Sequence, residues 1–76
     1  MNSYAIAVHS PINGLDLAIY EDCEDSADAL ICYIEDHGWG DEDMPDVSGL
    51  AEEDALSVLG SWLWDTQEIQ SAVEKL

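Results

Sequence analysis

The chain reads as an α+β domain, a β-hairpin followed by about three helices (ββααα). Three observations predict it. Apolar residues alternate through the first twenty positions, they switch to a helical spacing from Asp25 onward, and an Asn-Gly pair separates the two alternating runs. A chain of 76 residues has room for one hydrophobic core, so residues 1–76 are expected to form a single small acidic domain.

In the first strand Tyr4, Ile6 and Val8 share a face, and Leu15, Leu17 and Ile19 repeat the alternation in the second. Between them lies Ser10-Pro11-Ile12-Asn13-Gly14, in which Asn-Gly supplies residues that tolerate the positive φ of a hairpin turn. A two-stranded ribbon is barely stable in water, so its apolar face is expected to be covered by the helices of the remaining chain. Ala27, Leu30, Ile31 and Ile34 then fall on one face of a helix from about Ser26 to His37, with Asp25 or Ser26 as N-cap and Gly38 as its stop. The opposite face carries Asp25, Asp28, Cys32, Glu35 and Asp36, neighbours about 5–6 Å apart.

A loop with Gly38, Gly40, Pro45 and Gly49 comes next, holding Trp39 beside Asp41-Glu42-Asp43 and then Asp46. Leu50 to Ala55 has the composition of a helix start, because Glu52, Glu53 and Asp54 complement the positive end of a helix dipole. Ala55, Val58, Leu59 and Trp62 continue one apolar stripe, although Leu56 to Trp64 also fits a third strand broken at Gly60. Asp65-Thr66-Gln67-Glu68 has the form of a capping box ahead of Ile69, Ala72, Val73 and Leu76, which predicts a third helix. Trp62 and Trp64 are assigned to the core.

Eighteen acids stand against one basic residue, Lys75, for a net charge of −17 and a pI near 4.1. Nucleic acid and anionic membrane surfaces are excluded as direct partners, since both recruit clustered Lys and Arg. The partner is expected to be basic. An apolar fraction of 47% with three Trp and three Tyr belongs to a folded domain and not to a disordered acidic tail. The sequence shows no basic n-region ahead of an apolar run and nothing of transmembrane length, so a cytoplasmic location is expected. Cys23 and Cys32 are expected as reduced thiols, and without a C-x-x-C spacing neither a metal nor a cofactor is expected.

One acid lies in residues 1–20, fourteen in 21–54 and three in 55–76. A protein needing solubility alone would intersperse Lys, whereas −17 on a small domain repels itself. A compact chain of this length is about 30 Å across, and about 30 Å of duplex DNA carries around seventeen charges. The two charges match.

The acid runs Glu21-Asp22-Cys23-Glu24-Asp25, Asp41-Glu42-Asp43 and Glu52-Glu53-Asp54, in so short and base-poor a chain, give it its family likeness. It resembles the small, very acidic phage-encoded DNA mimics, a class that includes anti-CRISPR and antirestriction proteins. The resemblance spans the whole chain in size and charge. It implies a non-enzymatic inhibitor, acting in the cytoplasm of a bacterial host, that occupies the basic DNA-binding groove of a defence complex and blocks target recognition. A type I CRISPR surveillance complex is the foremost such effector. Its partner-binding residues would be Glu21, Asp22, Glu24, Asp25, Asp28, Glu35, Asp36, Asp41, Glu42, Asp43, Asp46, Glu52, Glu53 and Asp54. Trp39, between Gly38 and Gly40, would be the aromatic anchor, or else a ring folded back over the core.

Three other readings compete. Asp25-Ser26-Ala27 resembles the phosphopantetheine motif of acyl carrier proteins, with Ser26 as the modified residue, although Ala27 replaces the family's Leu and a hairpin stands where that family has a helix. Asp41, Asp43 and Glu52 fall at positions one, three and twelve of an EF-hand loop, but Asp46 occupies the sixth position, where the sharp turn requires Gly. The chain also fits a generic acidic adaptor of a basic protein. No spacing pairs His9 or His37 with a nucleophile, so no catalytic residue is assigned.

Overall fold

The computed structural model describes residues 2–12, 14–39 and 44–76. The elements are β1 (Asn2–Ser10), β2 (Gly14–Cys23), α1 (Ser26–Asp36), α2 (Glu52–Gln67) and β3 (Gln70–Lys75). The fold is α+β as expected, but its order is ββααβ, with two helices among the described residues and a three-stranded antiparallel sheet ordered β2-β1-β3.

The predicted third helix is β3. Residues 69–76 would make a helix only about 12 Å long, too short to stand alone, while β1 offers a row of unpaired backbone groups. Pairing wins: Tyr4 faces Lys75, Ile6 faces Val73 and Val8 faces Ser71. The Asp65-Thr66-Gln67-Glu68 segment does not start a helix but ends α2, where Glu68 turns into the left-handed region (φ 55, ψ 40) and its N–H reaches the Leu63 and Trp64 carbonyls. Leu56 to Trp64 is helical throughout, so the strand alternative is set aside.

The hairpin also departs from expectation: Leu15, Leu17 and Ile19 do not share the buried face of Tyr4, Ile6 and Val8. Tyr4 pairs with Tyr20, Ile6 with Ala18 and Val8 with Asp16, so the even-numbered residues of β2 share the helix-covered face with the apolar residues of β1. Leu15, Leu17 and Ile19 therefore point away, 74%, 66% and 61% exposed. Strand parity allows no compromise, since burying them would need a one-residue slip that flips every side chain of β2. At its far end β2 carries one extra residue, a bulge between the Tyr4–Tyr20 and Asn2–Cys23 pairs, with Asp22 at φ 60. The bulge reverses the parity and turns Cys23 into the core.

The core joins Tyr4, Ile6 and Val8 to Ala29, Leu30, Tyr33 and Ile34 of α1, to Leu59 and Leu63 of α2, and to Ile69. Both helices lie on one face of the sheet. Trp62 packs partly against this core, with its indole N–H buried and unpartnered among the described residues. Trp64 does not join it; it lies on the outer side of α2, 52% exposed. No helix of the described residues is long and apolar enough to cross a membrane.

Candidate functional site: two acidic clusters at the ends of α1

Helix α1 begins as its sequence dictates. Asp25 is the N-cap, and its carboxylate accepts the Asp28 N–H at 2.8 Å. Asp28 in turn accepts the Glu24 N–H at 3.2 Å. Helix α2 starts beside it at Ala51, which has no capping side chain, and Glu52 turns to the neighbouring helix. Its carboxylate accepts both the Ser26 N–H at 2.7 Å and the Ser26 hydroxyl at 2.6 Å. An anion placed on the first amides of α1 is where the helix dipole favours one. Glu24, Asp25 and Glu52 thus converge around two helix starts, with Lys75 lining the same hollow. Ser26 is buried and committed to Glu52, which removes the accessible hydroxyl that a carrier role requires.

The two Ser26 bonds, led by the hydroxyl, hold the Glu52 carboxyl below its ordinary value. A depressed folded value stabilises the fold above the ordinary glutamate range, and that contribution is lost as pH falls through the folded value. Glu52→Gln is expected to melt a few degrees below the native chain at neutral pH. The gap should close as pH drops below 4.5, the ordinary value, in thermal melts followed by circular dichroism. A gap that stays constant down to low pH would remove this bond from the account of stability.

The opposite end of α1 is built by its stop signal. The Gly38 N–H bonds the Glu35 carbonyl and the Trp39 N–H bonds the Ile34 carbonyl, with Gly38 at φ 71, a Schellman ending. This ending carries the residue after Gly38 back over the helix. The Trp39 ring lies 5.9 Å from Tyr33 and 4.8 Å from His37, and Tyr33 and His37 stack at 4.0 Å. Trp39 is the half-buried, folded-back ring of the two expectations.

Around this aromatic stack sits a cluster that sequence periodicity does not single out. The Tyr33 hydroxyl donates to Asp16 at 2.8 Å, the Tyr20 hydroxyl donates to Asp36 at 2.7 Å, and His37 Nε2 lies 3.9 Å from Asp16. Burial and then the Asp36 carboxylate push the Tyr20 phenol up to about 12, so it stays a donor at any physiological pH. Asp16, Tyr33, His37 and Trp39 line a cleft of about 340 Å³ that also reaches Val8 and Ile69. Carboxylate against aromatic faces is a setting that accepts a guanidinium or ammonium group. Asp16 is the lone acid of the first twenty residues, and only the pairing of β2 with β1 brings it to α1.

The other expected contacts fall apart from these clusters. Glu21 and Asp22 are exposed on the β2 bulge, Glu35 is exposed along α1, and Glu53 and Asp54 are exposed in the first turn of α2. Asp46 accepts the Ser48 N–H at 2.9 Å and so shapes its own loop. Asp41, Glu42 and Asp43 lie outside the described residues, and with them the EF-hand alternative.

Cys23 and Cys32, nine positions apart in sequence, meet because the bulge turns Cys23 inward against α1. Their sulfurs and an Asp28 oxygen all lie within 4.8 Å of one another, the one such group among the described residues. Three donors of this kind could hold a zinc-like cation and leave a position open. Burial first, and Asp28 next, push both thiols up, so as free groups they are protonated and poor nucleophiles. Compared with protein-family models, with characterised proteins and with solved structures, the chain matches none.

Proposed function

We propose that the chain is a DNA-mimic inhibitor that occupies the basic DNA-binding groove of a bacterial defence complex, with a type I CRISPR surveillance complex as its target. The supporting observation is the placement of its charge. Carboxylates gather at both ends of α1 and along its exposed side, over a molecule 33 Å in its longest dimension. That length of duplex carries about nineteen charges, against a net −17 here. Asp25, Asp28, Asp36 and Glu52 are held by hydrogen bonds, so these four carboxylates are presented without an ordering cost at each encounter. The cleft beside Asp16 and Trp39 adds a place for one arginine or lysine of the groove, which supplies specificity that charge alone lacks.

The test is a mobility-shift assay with a purified type I surveillance complex and labelled target duplex. Stoichiometric addition of the protein is expected to abolish the shifted band, and excess duplex to displace the protein from the complex. Binding should weaken steeply with salt. Undiminished DNA binding by that complex would sink the assignment of target. Capture from bacterial lysate of a basic partner indifferent to duplex DNA would replace mimicry by the adaptor reading.

A further inference from the structure

The outer face of the sheet forms a grid of nine side chains in three rows: Ile19, Ala5 and Glu74; Leu17, Ala7 and Ala72; Leu15, His9 and Gln70. Nothing among the described residues covers it, since both helices lie on the other side. Eight of the nine positions carry no carboxylate, in a molecule where eighteen of 76 residues are acidic. Its relief is uneven in a specific way. Leu15, Leu17 and Ile19 stand as a ridge along β2, whereas alanines on β1 and β3 leave a shallow hollow of about 260 Å³ between Ala7, His9, Gln70 and Ala72.

We infer that this face pairs with the same face of a second copy, forming a homodimer in which the two sheets stack and the helices lie outside. A two-fold axis parallel to the strands and above β1 sets the ridge of each copy over the hollow of the other, with Leu17 against the partner copy's alanine row. The shape is therefore self-complementary, as an isologous interface must be. Three strands by three rows span about 14 by 20 Å, so the interface is a small one.

Charge chooses the same occupant and geometry. Two chains of −17 repel at any acidic face, but here the sheets stack about 10 Å apart with a helix layer about 10 Å thick on each side. The carboxylates on the outer sides of the helices end about 30 Å apart, several screening lengths of about 8 Å at physiological salt, while Glu74 lies on the stacked face itself. The two Glu74 side chains fall on opposite edges of the stack. A basic partner gains little from this face, with Glu74 as the one acid of its nine positions, and is drawn to the acidic one.

Sedimentation equilibrium over about 1 µM to 1 mM protein tests the inference, since a small apolar interface implies micromolar dissociation. The mass is expected to rise from 8.3 kDa to twice that value, at lower concentration in higher salt. Leu17→Gln should weaken the dimer more than 100-fold with an unchanged circular dichroism spectrum, because the residue is exposed in the monomer. Ala72→Gln, which fills the hollow from another strand, should do the same and serves if the first variant misfolds. A chain that stays monomeric throughout overturns the inference. So does a dimer that survives both substitutions, which would join at the free edge of β2 instead.

Discussion

Reversing Glu21, Glu24 and Glu35 to Lys together is expected to cost at least 1,000-fold in target affinity while making the fold more stable. Each charge-assisted contact contributes about 1.5–3 kcal/mol, and three lost at once exceed the about 4.1 kcal/mol that corresponds to 1,000-fold, before new repulsion is counted. These three are chosen because their carboxylates hold no hydrogen bond among the described residues and are exposed. Asp25, Asp28 and Glu52 would confound the result, since they also anchor the helix starts. The reversal takes the net charge from −17 to −11, three changes of two units each, and relieves self-repulsion. Weaker binding with a higher melting temperature is thus the signature of a surface charged for a partner. Titration calorimetry against the surveillance complex and a thermal melt read the two quantities. Unchanged affinity would move the interface to residues 41–43 or off the acidic surface.

Leu59→Ala is expected to unfold the chain at low salt. Leu59 is fully buried at the centre of the α2 stripe formed with Ala55 and Leu63. Truncating such a residue costs about 2–5 kcal/mol, and small domains carry about 5 kcal/mol or little more in total. Self-repulsion of −17 leaves this one less. Screening acts on the same balance from the other side. In about 500 mM salt, where the screening length falls below about 5 Å, the variant should regain a cooperative melt, and the native chain should melt several degrees higher than in about 10 mM. A variant that melts cooperatively within a few degrees of the native chain at low salt would show that α2 is not closed over the core. A native melting point indifferent to salt would show that the carboxylates are too far apart to strain the fold.

What the sequence determined alone is what depends on neighbours in the chain. The alternation of Tyr4, Ile6 and Val8 names the buried face of β1, because the pleat puts every second residue on one side. Asp25 and Gly38 bound α1 to within a residue, because capping and the left-handed stop are local hydrogen-bond problems. Residues 21–54 could be marked as the charged part of the molecule by counting, since no fold hides fourteen carboxylates.

Tertiary structure decided the rest. Residues 70–75 have apolar positions that fit a short helix and a strand equally, and only the free edge of β1, distant in sequence, selects the strand. Which side Leu15, Leu17 and Ile19 occupy depends on the parity of the Ser10–Gly14 pairing, which an alternating pattern reads identically either way. The same register carries Asp16 to Tyr33 and His37, and the bulge at Asp22 carries Cys23 to Cys32 and Asp28. Periodicity is a one-dimensional signal and states how often a side chain returns to a face. Which other element waits at that face is a long-range pairing, set by the backbone hydrogen bonds and the shared core that form only when the whole chain closes.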